Sequence, residues 1–324
     1  MKNKKKDSIQ FGEGNFLRAF VDYCIQLLNE NPSFSGRVDL VQPIPQGMIE
    51  ALQKQGGKYH LFQEGVKGGK TIRETKLIDC IGQMINPYKD FESFLKLGEN
   101  EHLTFIFSNT TEAGIALDTD DLFAGHPPNS FPAKLTLLLY RRYQKFNGDP
   151  TKVLHILPCE LIEKNGARLK EIILTLCDEW QLEDQFKSWI KENQFYNTLV
   201  DRIVPGFPKE NLDYYKKAAG FDDQLMVTCE PFFLWVIEGD NKLLEIFPVD
   251  QLENIDVKVV PDLGIYRTRK VRILNGSHTT LVPVGLLHGV LTVSESLQDD
   301  FLKNFLTKAL FEEIIPSVDF DRQA

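Results

Sequence analysis

"IQFGEGNFLRAF" (residues 9–20) sets two glycines and an asparagine between a short apolar run and an amphipathic stretch. A strand that runs into Gly12-x-Gly14 and then a helix suits a bound pyrophosphate. The glycines let the backbone come close, and the helix start offers free N–H groups and a favourable dipole. The full fingerprint G-x-G-x-x-G has a third glycine, but here that place holds Leu17. Taken alone, the motif fits an ordinary strand-to-helix turn equally well. Asn15 is placed to cap the helix. Arg18, one turn in, is placed to reach a phosphate or to stand in solvent.

Outward from this turn, strand and helix alternate. "SIQF" (8–11) predicts a strand, and "FLRAFVDYCIQLLNE" (16–30) repeats its apolar residues at helical spacing. "RVDLVQPI" (37–44) predicts the second strand. Such a unit usually ends that strand on Asp or Glu, to hold the adenosine ribose. Here the end is Gln42, with Asp39 inside the strand. Gln42 can still bond a ribose hydroxyl, and no arginine follows for a 2′-phosphate, which favours NAD over NADP. "YHLFQE" (59–64) and "KTIRETKLID" (70–79) alternate across a Gly-rich turn and predict an antiparallel hairpin.

"LTFIFS" (103–108) and "KVLHILPCE" (152–160) read as strands buried on both faces. "AKLTLLLYRRYQKF" (133–146) and "GARLKEIILTLCDEW" (166–180) read as helices. The order points to a doubly wound, Rossmann-like α/β domain over residues 1–259. "MVTCEPFFLWVIEG" (226–239) resumes strand character. Residues 260–324 are helical in pattern and predict an all-α C-terminal domain. At about 65 residues that domain is small for an independent core. The expectation is that it leans on the first domain or lacks part of its chain.

Composition narrows the function. The 324 residues are 42% hydrophobic and 26% charged, with a net charge of -9. That balance excludes a general nucleic-acid binder, which needs a basic face. No apolar run reaches membrane-spanning length. "MKNKKKDS" has no apolar stretch after its lysines, so it reads as a solvated, frayed end rather than a secretion signal. Five scattered cysteines without CxxC spacing fit a reducing cytoplasm, and no ligand spacing predicts a metal.

"RKVRILNGSH" (269–278) carries the second constellation. At 100° per residue, Lys270, Asn275 and His278 fall at about 0°, 140° and 80° on a helix, a fan on one polar face. A lysine partly desolvated in a cleft serves as general acid on a ketone or general base on an alcohol. Asn275 can donate to a developing alkoxide, and His278 can orient a substrate. On spacing alone, a solvated amphipathic face is the simpler reading.

G-x-G-x-F-x-R near the N-terminus, together with K-x4-N-x2-H at the start of a helical domain, resembles the mannitol dehydrogenase family of polyol-specific long-chain dehydrogenases. "SNTTEAGI" (108–115), "PCELIEKNGARLKE" (158–171), "TLVDRIVPGFP" (198–208) and "FEEIIPSVD" (311–319) resemble its uronate branch, the tagaturonate reductases. The resemblance implies NAD-dependent hydride transfer, without a metal, between the ketone and alcohol of a sugar acid, with tagaturonate and altronate the favoured pair. It implies a cofactor turn of Gly12, Gly14, Phe16 and Arg18, with Asn109 and Thr110 near the nicotinamide. It implies Lys270 as catalytic acid/base, Asn275 as oxyanion donor and His278 as a positioning residue. Mannitol-type members carry "CDN" where this chain has Cys159, Glu160 and Leu161, so a second oxyanion donor is absent and Asn165 is the candidate substitute. The substrate carboxylate needs a cation, and Arg269 is a candidate beside Arg267 and Arg272. Arg202 reads as structural, paired with an acid. The alternatives are fructuronate, mannitol or mannitol phosphate as substrate, or an inactive dinucleotide-binding paralogue.

Overall fold

The computed structural model describes residues 5–318 apart from Gly68, Glu112 and Asn254. Residues 1–4 of the basic N-terminus and the final residues 319–324 lie outside the described residues, as does Glu112 of "SNTTEAGI". The chain divides into two units, Met1–Val260 and Pro261–Ala324.

In the first unit six strands run parallel. They are β1 (Lys5–Phe11), β2 (Ser35–Val41), β5 (Ile81–Ile85), β6 (Leu103–Ser108), β7 (His155–Pro158) and β8 (Gln194–Phe195), in the order β5-β2-β1-β6-β7-β8. This is the doubly wound order, with its switch point between β1 and β6. Successive side chains point to opposite faces. Ile9, Phe11, Val41, Ile106 and Ile156 pack on one core with the helices Phe131–Lys145 and Asn165–Glu179. Val38, Leu40, Phe105, Phe107 and Leu157 pack on the other, with α1 (Asn15–Ala19) and α2 (Val21–Leu28).

β1 starts three residues before the expected "SIQF", so Lys5 and Lys6 are strand residues rather than a frayed end. The sheet admits this charged segment because Asp7, fully buried, meets Lys5 at 3.1 Å, Arg37 at 3.5 Å and the Asn100 amide at 2.7 Å.

The expected helix 16–30 is broken at Phe20, whose φ of -120° and ψ of -76° interrupt it. A helix end leaves carbonyls without intrahelical donors. Here Tyr59 Oη donates to Arg18 O at 2.8 Å, and Arg202 Nη1 donates to Ala19 O at 2.6 Å. Arg202, read as a structural residue paired with an acid, is buried and donates to Ala19 O, Glu230 O and Gln63 Oε1.

The hairpin forms as β3 (Tyr59–Lys67) against β4 (Lys70–Ile78). It belongs to a separate sheet in which β10 (Val227–Cys229) joins β3. A third sheet holds β9 (Thr198–Asp201), β11 (Leu234–Glu238) and β12 (Asp256–Val260). "MVTCEPFFLWVIEG" therefore supplies two strands to two sheets, divided at Pro231, which cannot donate to a ladder.

The second unit, taken by itself, is helical, with Leu281 and Leu302 fully or almost fully buried. All five cysteines are unpaired and buried. Among the described residues, no helix is long and apolar enough to cross a membrane, and no three His, Cys, Asp or Glu side chains converge as metal ligands.

Candidate functional site

Gly12 follows β1 with φ +117°, a conformation L side chains rarely adopt. Its N–H donates to Val41 O at 3.0 Å, and a Cβ there would lie 3.0 Å from Asn109 O. Glycine is thus required twice, for the turn and for the close approach to β6. Gly14 precedes α1 in extended backbone, and a Cβ added to it would meet nothing within 4 Å. The helix start has no side-chain cap. Asn15, expected as that cap, is the first helical residue, and its Oδ1 accepts from Arg18 Nη2 at 2.7 Å. The turn leaves an open cradle beside Gly14, edged by first-turn N–H groups that have no intrahelical acceptor.

Phe16 and Arg18 do not face that cradle. Phe16 packs against the core and stacks on Phe20. Arg18 is 1% exposed; Nη1 donates to Leu225 O at 2.6 Å, and the guanidinium lies over the Tyr59 ring. Both hold the turn from inside rather than touching a ligand. Beneath Arg18, Tyr59 Oη lies 2.9 Å from Asp22 Oδ2, so its one hydrogen is shared between that carboxyl and Arg18 O. Asp22 is fully buried, and burial pushes its carboxyl up to about 7. Its Oδ1 and the neighbouring Gln10 Oε1 are buried acceptors without a donor. Gln10 Nε2 donates to Gly12 O at 3.0 Å, so this network reaches the glycine turn.

Gln42, expected at the ribose, is buried, and its amide donates to Ile44 O at 2.9 Å and Pro45 O at 3.0 Å. The side chain is turned into its own loop. Sequence reasoning missed Glu13 beside it. A Cβ on Gly47 would collide with both Glu13 Oε1 and Gln42 Cδ, so the two side chains meet at the end of β2. Glu13 accepts from the Met48 N–H at 2.9 Å, and burial raises its pKa. Its signal in the sequence is a charged residue between two glycines of a turn.

Across the switch point, Asn109 and Thr110 follow β6 as expected, yet their side-chain donors are engaged. Asn109 Nδ2 donates to Cys159 O at 2.8 Å. Thr110 N and Oγ1 both donate to Glu160 Oε1 at 2.9 Å, and Ser108 Oγ donates to Glu160 Oε2 at 3.0 Å. A cavity of about 510 Å³ opens between the loops after β2 and β6, lined by Pro43, Ile44, Thr110, Thr111, Gly114 and Ser130 among others. It flanks the carboxyl end of β1, where ligands of open α/β sheets bind.

Asn165, expected toward the substrate, has its amide engaged within the scaffold. It is fully buried; Nδ2 donates to Pro158 O and Glu160 O, each at 3.0 Å, and Oδ1 accepts from Gly166 N and Thr198 N, each at 2.9 Å. Its amide ties the end of β7 to the start of β9. Leu161, at the place of the absent donor, is exposed.

In the second unit, the helix Gly264–Thr268 passes into a π-helix, Arg269–Asn275, and then into the α-helix Gly276–Leu287. The Gly276 N–H bonds to Val271 O, five residues back. In i→i+5 winding, residues five apart lie about one turn apart on one side. Lys270 and Asn275 are therefore brought nearer to one side than the roughly 140° of an α-helix would allow. Lys270 and Arg269 are half-buried; Asn275 and His278 are exposed. A second π-helix, Ala309–Ile314, packs beside the first. π-Turns are rare and concentrate at functional sites.

Comparison with known proteins agrees with this architecture. Residues 6–246 match the family profile described as the mannitol dehydrogenase Rossmann domain, and residues 262–324 match that of the mannitol dehydrogenase C-terminal domain. The chain is 45% identical over 309 residues to an altronate oxidoreductase of Bacillus subtilis, covering 95% of this chain and 64% of the relative. It is 43% identical over 316 residues to one of Bacteroides thetaiotaomicron, covering 97% and 66%. The chain thus spans just under two thirds of the length of these relatives. The mannitol 2-dehydrogenase of Pseudomonas fluorescens, solved with NAD and D-mannitol, shares the fold with a TM-score of 0.76 at 21% identity, covering 99% of this chain and 66% of that one.

Proposed function

Since the chain belongs to the mannitol dehydrogenase family, we propose that it is part of a nicotinamide-dinucleotide oxidoreductase that interconverts tagaturonate and altronate. The observation that carries this reading is 43–45% identity to altronate oxidoreductases over nearly the whole chain. The cradle fits the cofactor: Gly14 leaves it open, and Gly12 allows a close approach that no other residue permits. NAD is favoured over NADP because residues 42–47 contain no lysine or arginine, and the acid Glu13 stands at the end of β2. A 2′-phosphate there would meet like charge. The unpaired cysteines fit a reducing, cytoplasmic location.

Gly12 and Gly14 would hold the pyrophosphate, with Phe16 and Arg18 bracing the turn, and the cavity after β2 and β6 would take the adenosine. Bound there, the cofactor supplies the hydride. Lys270 gives a proton to the carbonyl oxygen that becomes the hydroxyl. Asn275, brought nearer to Lys270 by the π-turn, donates an amide N–H to that oxygen as charge builds. His278 orients the substrate, and Arg269 is the candidate partner for its carboxylate.

A panel of tagaturonate, fructuronate and fructose, assayed on the full chain with NADH and NADPH, tests the reading. The expectation is fastest turnover of tagaturonate, and NADH preferred by about ten-fold or more, as one unfavourable charge contact implies. Turnover of fructose without tagaturonate would overturn the substrate assignment.

A further inference from the structure

We propose that Glu160 is a positioning residue that holds the turn Ser108–Thr111 in the conformation against which the dinucleotide cradle is built. The inference rests on the cofactor reading above.

Glu160 stands just after β7 and is 2% exposed. It receives both donors of Thr110 and the hydroxyl of Ser108. Burial raises its pKa, and the bonds from Thr110 and Ser108 oppose that. One carboxylate thus gathers the side-chain hydroxyls of Ser108 and Thr110, so those groups serve the turn's shape rather than a ligand. The shape needs holding. Thr111 has φ +81°, and a β-branched residue in that region is an outlier kept only where its surroundings impose it. Gly114 closes the loop by donating to Thr111 O at 3.0 Å, and a Cβ on it would collide with Thr110 Oγ1.

The turn reaches the cradle directly. The Asn109 N–H donates to Phe11 O at 3.1 Å, and Asn109 O is the atom that forbids a side chain on Gly12. Thr110 and Thr111 also line the 510 Å³ cavity. A shift of Thr110 would therefore move the wall of the pyrophosphate turn and the cavity together.

The test uses Glu160→Ala and Glu160→Gln, each with and without Thr111→Gly, in the full chain. Three quantities are read: the NADH Kd by fluorescence, the Tm, and hydrogen exchange of the Thr110 amide without cofactor. Losing hydrogen bonds to a charged acceptor predicts, in Glu160→Ala, about ten-fold weaker NADH binding and faster Thr110 exchange. Glu160→Gln keeps an acceptor for Thr110 and should lose only about three-fold. Glycine adopts φ +81° freely, so Thr111→Gly in the Glu160→Ala background should restore Kd to within about three-fold of wild type. A purely structural role would lower Tm without this rescue. Unchanged Kd in Glu160→Ala, or equal loss with and without Thr111→Gly, would overturn the proposal. Wild-type protein that fails to bind NADH would instead overturn the cofactor reading, and this inference with it.

Discussion

Lys270→Met should lower kcat by about 10²–10⁴, the usual contribution of a positioned acid or base, while NADH binds within about two-fold of wild type. Methionine keeps the length and apolar stem of lysine and removes only the group that exchanges a proton. Lys270→Arg should be nearly as inactive, because guanidinium does not give up its proton in proteins. Lys270 is not one of the residues proposed to hold the dinucleotide, so NADH affinity separates a chemical role from a structural one. Steady-state rates combined with NADH fluorescence titration separate the two effects. A variant that turns over at the wild-type rate would remove lysine from the mechanism; one that loses NADH affinity in proportion would make its role structural. Asn275 shares the π-turn with Lys270, and its loss should lower kcat more than it raises KM, as befits an interaction made mainly in the transition state.

Asp22→Asn should remove one pH-dependent penalty from the stability of the folded protein. Burial raises the Asp22 pKa from 3.8 to about 7 in the folded protein. A raised carboxyl pKa contributes stability that is fully present below the unfolded value and lost as pH climbs through the folded one. The folded state of the wild type is therefore penalised progressively between about pH 4 and pH 7. One pKa unit corresponds to about 1.4 kcal/mol, so between pH 5 and pH 8 the wild type should lose about 2–3 kcal/mol relative to the variant. Asparagine still accepts from Tyr59, and its amide nitrogen offers the donor that Gln10 Oε1 lacks. Urea unfolding of both proteins at the two pH values gives the difference directly, with the titration of all shared groups cancelling. A stability difference that does not change with pH would show that Asp22 is not the titrating group.

The parts of the fold set by burial on both faces of a sheet were plain in the sequence. "LTFIFS" is β6 to the residue, because Leu103, Phe105, Ile106 and Phe107 put apolar side chains on both faces, as a strand buried within a parallel sheet requires. The helix after the glycine turn was read as unbroken, since nothing in its apolar period reports that Tyr59 and Arg202 would take the carbonyls freed at Phe20. β1 was read short because charged residues suggest solvent, and the partners of Asp7 come from Arg37 and Asn100, far along the chain. Site residues divided in the same way. Gly12 was legible because a backbone demand shows in the residue type. That Arg18, Gln42 and Asn165 are tied to backbone carbonyls is not legible, because a polar side chain facing a ligand and one knitting the scaffold look alike until their partners are known. Glu160 shows in the sequence only as the neighbour of Leu161, which stands where the asparagine is missing, although it organises the turn after β6. The approach of Lys270 and Asn275 to one side depends on a π-turn, and no residue type marks one.

The central claim is that this chain carries hydride chemistry between a nicotinamide and the ketone of a sugar acid. Deuterium tracing tests it most directly: tagaturonate is incubated with the full chain and NADH carrying deuterium at both C4 positions of the nicotinamide, and the product is read by NMR and mass spectrometry. The account predicts altronate carrying one deuterium on the former carbonyl carbon, formed in step with NADH consumption. Product without the label, or no NADH consumed with tagaturonate, would contradict it.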